Sequence, residues 1–154
     1  MIVGLIPGLA LFHVGQPNGM IINYQTGYRG RTESMSALLQ RRYLNTGTGT
    51  QESSRIYARG LGRQTDQAGH ILARRLGGSG TDQNNLFPIA ASSNLVMRAF
   101  EEVAALHTNR TGSVVYMINL NYESATATRP NLITVRLETW NTGELIFQDD
   151  LENP

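Results

Sequence analysis

The side-chain pattern changes period near residue 112, and that change limits the fold more than any other feature of the chain. Over residues 92–107 the pattern is helical. At 100° per residue, Asn94, Arg98, Glu101, Glu102 and Ala105 fall inside an arc of about 100°. Leu95, Val96, Met97, Ala99, Phe100, Val103, Ala104 and Leu106 fill the remainder. Ser92 or Ser93 can cap the start, and Asn109-Arg110-Thr111-Gly112 ends the helix. Residues 113–122, 131–140 and 144–148 are then rich in Val, Ile, Tyr and Thr, with Asn141-Thr142-Gly143 as a hairpin turn between the last two. A helix followed by a strand meander makes an α+β chain, and 154 residues fit one domain.

Residues 1–25 carry β-branched clusters and read as strands broken by a turn over 15–19. Residues 34–43 read as a short helix with Met35, Leu38 and Leu39 on its apolar face, 45–54 as a loop and 55–62 as a strand. Residues 66–94 resist periodic reading. The acidic tail, 149–154, is expected to fray. The longest apolar run, residues 1–12, falls short of the roughly 20 a membrane span needs and has no basic residue ahead of it. It is expected to be buried structure, with no membrane partner. Localisation stays open, since a domain cut from a longer secreted protein would look the same.

Cysteine is absent, which excludes disulfides, thiolate metal sites and thiol nucleophiles. Lysine is absent too, so all 13 basic residues are arginine, and Schiff-base and Walker-type phosphate chemistry are excluded with it. Net charge is +1, but it is unevenly spread. Residues 1–75 hold nine arginines against Glu33, Glu52 and Asp66, whereas residues 76–154 hold four arginines against nine acids. An arginine-rich half can make forked contacts to phosphate.

The informative stretch is Asp66-Gln67-Ala68-Gly69-His70, then Gly77-Gly78-Ser79-Gly80, then Asn84-Asn85-Leu86, then Asn94 opening the helix. In this order the pieces describe a strand, a loop, a strand and a helix, with a histidine on the first strand and a carboxamide on the first helical turn. Phosphodiester hydrolysis needs a base for the attacking water, positive charge on the phosphoryl and leaving oxygens, and a grip on the phosphate. A neutral imidazole suits the first task, a hard divalent cation held by oxygen the second, and arginine the third.

Residues 63–102, and above all the string from Asp66 to Gly78 followed by Asn85-Leu86 and Asn94, resemble the DNA/RNA non-specific endonuclease family of the ββα-metal (His-Me finger) superfamily. The resemblance implies a ββα-metal core over about 63–107 with flanking antiparallel strands. It also implies a Mg²⁺-dependent (or Mn²⁺-dependent) endonuclease of low sequence preference acting on DNA or RNA. In that reading His70 is the general base and Asn94 the direct metal ligand. Asn85 braces the loop or orients His70, and Glu102 holds a water of the cation's shell, with Glu101 in reserve. Many members carry arginine two residues before the histidine; here that place is Ala68. The phosphate clamp then falls to Arg63, Arg98, Arg74 or Arg75, with Asp66 also placed among the nucleic-acid-facing residues. The superfamily's HNH branch usually carries a second histidine on the helix, which Asn94 and Glu102 do not match.

His13 and His107 read as structural, and Tyr24, Tyr57, Tyr116 and Trp140 as core or edge residues. The alternative to an enzyme is an inactive module on the same fold that binds nucleic acid or protein through the arginine-rich half. A toxin or effector role, with an acidic inhibitor or immunity protein as partner, is the expected biological setting of such a nuclease. The lack of lysine fits delivery into a eukaryotic cytosol and equally fits a GC-rich genome.

Overall fold

The computed structural model describes residues 14, 15 and 19–154. The apolar run over 1–12 and His13 lie outside them. A sheet of six strands runs in the order β1 (Val14–Gly15), β2 (Ile21–Thr26), β3 (Thr32–Gln40), β6 (Ser113–Asn121), β7 (Leu132–Thr139) and β8 (Leu145–Glu152), with every pairing antiparallel. Between β3 and β6 the chain leaves the sheet. It forms helix α1 (Glu52–Leu61), a separate two-stranded ribbon of β4 (Gln67–His70) and β5 (Leu86–Ile89), and the long helix α2 (Ala91–Thr111).

The main core lies between one sheet face and this ββα excursion. Met35, Ala37, Leu39, Val114, Tyr116, Ile118, Ile133 and Val135 point inward from the strands. Ile71, Leu72, Leu76, Phe87 and Ile89 from the ribbon, and Met97 and Ala104 from α2, meet them. The opposite sheet face holds a small cluster of Ile21, Leu38 and Val115.

Four expectations are corrected. Residues 34–43 do not form a helix. They are mostly β3, a central strand hydrogen-bonded on both sides. Its apolar residues serve two faces at once, and a continuous apolar run has no period that separates strand from helix. Residues 55–62 are not a strand but belong mostly to α1, whose buried stripe is Ser54 and Ala58 rather than large aliphatics. The acidic tail does not fray: β8 continues to Glu152 and Asn153 is buried. In α2 the buried side is Ser93, Met97, Glu101, Ala104 and Thr108, whereas Leu95 (62% exposed) and Leu106 (54%) face outward with Val96 and Val103. The helix covers the core through a narrow i, i+4 stripe, so its apolar residues outnumber the positions that pack.

Candidate active site

His70 ends β4, paired with Leu86 of β5. Its Nε2 lies 2.8 Å from the carbonyl oxygen of Thr48. A carbonyl has no proton to give, so Nε2 carries one and donates it. Nδ1 is thereby left as the unprotonated nitrogen of the neutral ring. Thr48 sits in the loop before α1, and that loop is itself fixed to the loop after β4. Asn45 N–H donates to Arg75 O (2.8 Å), Thr48 N–H to Gly78 O (3.0 Å), and Gly80 N–H to Thr48 Oγ1 (2.9 Å). The approach is tight: a Cβ on Gly47 would stand 2.4 Å from both Arg74 O and Gly78 O.

Asn85 is fully buried between the two sides of the loop. Its Oδ1 accepts from Leu72 N–H (2.8 Å), and its Nδ2 donates to Leu72 O (2.9 Å) and Ser79 O (2.8 Å). Its side chain ties the two ends of the loop together and makes no hydrogen bond to His70.

Asn94 lies on the first turn of α2. Its Nδ2 donates to Gln67 Oε1 at 2.8 Å, which leaves Oδ1 as the unengaged end of the amide. The helix start is held from outside by the end of β8: Ala90 N–H donates to Asn153 Oδ1 (2.8 Å) and Ser93 Oγ to Glu152 O (2.8 Å). His70 and Asn94 line one cavity of about 410 Å³ together with Arg74, Arg75, Arg98 and Glu101. They also line an adjoining hollow with Arg55, Arg59, Gln67 and Ala68. Two side chains 24 positions apart thus meet in one cleft with arginine on both walls.

Glu101 is buried, and burial, the largest influence, pushes its carboxyl above the usual carboxylate range. Arg75 and Arg98 pull it partly back. The fully enclosed Tyr116 hydroxyl has no hydrogen-bond partner and feels the Glu101 charge. Oxygen donors available beside His70 are Asn94 Oδ1 and the Glu101 carboxylate, a hard set. Among the described residues, no three or more His, Asp or Glu side chains are grouped to enclose a cation.

A sequence profile for DNA/RNA non-specific endonucleases matches residues 13–141. The chain belongs to the DNA/RNA non-specific endonuclease family. Membership places it among the endonucleases, hydrolases of phosphodiester bonds. A protein of Dickeya dadantii (strain 3937), described as probable deoxyribonuclease RhsA, is 38% identical over 122 residues. That stretch covers 79% of this chain and only 8% of the relative's length. NucA from Streptococcus agalactiae, with magnesium bound, shares the fold with a TM-score of 0.66 at 12% identity, over 94% of this chain and 77% of NucA. Sda1 nuclease, with zinc bound, does so with a TM-score of 0.64 at 15% identity, over 86% and 74% of the two chains. The α+β fold is therefore shared with these two nucleases.

Within this endonuclease fold, the structure gathers His70, Asn94, Arg74, Arg75, Arg98 and Glu101. Two expected residues stand elsewhere. Glu102 is exposed and lines a different hollow with Arg41 and Leu44, whereas Glu101, one residue earlier on the helix, lines the cleft. Arg63 donates through Nη1 to Pro154 O (3.0 Å) and lines a hollow with Arg129. Asp66 lines the hollow that His70 and Asn94 share, but its carboxylate is buried and takes both arms of Arg129 (2.8 and 2.9 Å) and the Arg63 N–H (2.8 Å). Sequence reasoning missed Thr48, Gln67, Arg55 and Arg59. The last two are four residues apart and share a helix face, a signal hidden by the strand reading of 55–62.

Proposed function

We propose that this domain cuts nucleic acid by hydrolysis at the phosphate backbone, with His70 as the general base. The observation that carries the reading is the shared cleft of His70 and Asn94, with the imidazole Nε2 tied to the Thr48 carbonyl. Nδ1 then takes the proton from the attacking water, because it is the nitrogen left unprotonated. Asn94 Oδ1 would hold a divalent cation, Mg²⁺ or Mn²⁺, with Glu101 as a second oxygen-bearing group beside it. When bound, the cation supplies positive charge to the phosphoryl oxygens and the leaving 3′ oxygen. Gln67 keeps the Asn94 amide from turning its NH₂ toward that position. Arg74, Arg75 and Arg98 grip phosphates, and such contacts carry no base information, so sequence preference is low.

The Dickeya relative, of which this chain matches a small part, is described as a probable deoxyribonuclease, which supports DNA as a substrate and a place within a longer protein. In a toxin setting an acidic inhibitor would cover the arginine-lined cleft. Residues 63–111 read as the catalytic unit of a single nuclease domain. The rival reading, an inactive binding module, draws on Ala68 alone.

A plasmid-nicking assay separates the two. Wild-type protein is expected to nick with Mg²⁺ and not with EDTA. His70→Ala is expected to lose at least 10²-fold in rate with an unchanged circular-dichroism spectrum. Asn94→Ala is expected to lose rate and shift the Mg²⁺ titration together. A His70→Ala protein that nicks normally removes the assignment, and binding without nicking in either buffer establishes the module.

A further inference from the structure

Helix α1 brings two arginines, one turn apart, to the hollow that His70 and Asn94 share with Ala68. They are not equivalent. The guanidinium of Arg55 is engaged, by Glu52 at 3.0 Å and by Thr50. The guanidinium of Arg59 makes no hydrogen bond and no ion pair with any described residue, and its Nε is shut away from water. An enclosed guanidinium N–H with nothing to donate to is unfavourable until an acceptor arrives. None of the described side chains that line this hollow takes that proton, and Ala68, which also lines it, offers only a methyl group, so a phosphate of a bound strand is the acceptor that suits it.

The other wall explains why one more cation matters. Arg74, Arg75 and Arg98 all stand on the far side of the His70–Asn94 pair, where Glu101 offsets part of their charge. A strand lying across the pair would have its phosphates gripped on one side only if α1 contributed nothing.

The geometry points to Arg59 as the phosphate-binding residue on the α1 side of the cleft, taking a backbone phosphate of the bound strand next to the bond that is cut. The inference rests on the nuclease reading and deepens it. Arg59 fills from a helix the space that Ala68 leaves open on the strand. Arg55 stays with Glu52.

The test measures binding and turnover separately. His70→Ala protein in EDTA is titrated with a fluorescently labelled oligonucleotide duplex between 50 and 200 mM salt. Adding Arg59→Ala is expected to weaken binding for every duplex sequence and to reduce the slope of log K against log salt by about one. Arg110→Ala removes the same charge at the far end of α2 and is expected to leave the slope unchanged. In the active protein, Arg59→Ala is expected to raise KM about tenfold, with Arg59→Lys recovering part of the loss. If Arg59→Ala fails to fold, Arg59→Gln and Arg59→Lys carry the comparison: glutamine loses the slope, lysine keeps it. An unchanged slope and KM in a folded Arg59→Ala or Arg59→Gln protein overturns the assignment and leaves the nuclease reading standing. Full cutting by His70→Ala overturns that reading whatever Arg59 does.

Discussion

Burial lifts the Glu101 carboxyl above the range of a free carboxylate, and the Arg75 and Arg98 charges return only part of the shift. Folding therefore favours the protonated form of this side chain. The associated stability is complete at acid pH. It is lost as pH rises from the unfolded carboxyl value through the folded one, so ionising this enclosed group costs the fold stability. Such a cost persists where a site needs the charge. Glu101→Gln is expected to raise neutral-pH stability by about 1 kcal/mol, or about 2–4 °C in Tm, while cutting falls at least tenfold. Calorimetry at pH 5 and pH 8 together with the nicking assay checks both halves. A less stable, fully active variant would place the carboxylate outside the chemistry. The neighbouring Glu102 faces another hollow, so Glu102→Gln serves as the local control for activity.

The histidine is set in place by two loops rather than by a strand alone. The loop before α1 and the loop after β4 interlock through backbone hydrogen bonds, and the Thr48 carbonyl that fixes His70 belongs to the first. Gly47 stands where the two loops meet. Its N–H donates to Arg74 O, and an added methyl would overlap Arg74 O and Gly78 O. Gly47→Ala is expected to cost about 3 kcal/mol or more in urea unfolding and to lower kcat, since separating the loops unseats Thr48. Unchanged kcat in a folded Gly47→Ala protein would show that His70 does not depend on the Thr48 contact.

Parts of this arrangement were legible in the sequence. The strands β6, β7 and β8 and the helix α2 announced themselves by period, and His70, Asn85 and Asn94 by their order. The Thr48 carbonyl could not be found, because a backbone oxygen in a Thr-Gly loop leaves no side-chain signal. Strand β3 was hidden by having both edges paired and apolar residues on both faces. Helix α1 was hidden because Ser54 and Ala58, not aliphatic residues, make its buried stripe. The inward side of α2 was misjudged because Glu101 faces the cleft while Leu95 and Leu106 face out.

Across the whole molecule, one ion pair ties the ribbon to the sheet. Desolvation by itself would raise the Asp66 carboxyl. The Arg129 hydrogen bonds, the Arg63 N–H and both guanidinium charges outweigh it and hold the group below its ordinary value. The linkage sign is the reverse of that at Glu101. The stabilisation is present above the unfolded carboxyl value and is lost as pH falls through the folded one. Asp66→Asn is expected to remove about 3 kcal/mol at pH 7, because Arg129 stays buried without its partner, and to flatten the acid limb of the stability curve. Urea titrations at pH 7 and pH 3 give the comparison, and an acid limb as steep as wild type would assign it to other carboxylates.

Arg129 also holds the carbonyl of Asn153, and Asn153 in turn fixes Ala90 at the start of the helix that bears Asn94. Synthesis adds Asn153 after every side chain of the cleft, so its hold on that helix waits for β8 to dock. Asn153→Ala is expected to loosen the first turn of α2 and, on the nuclease reading, to slow cutting without touching any group that lines the cleft.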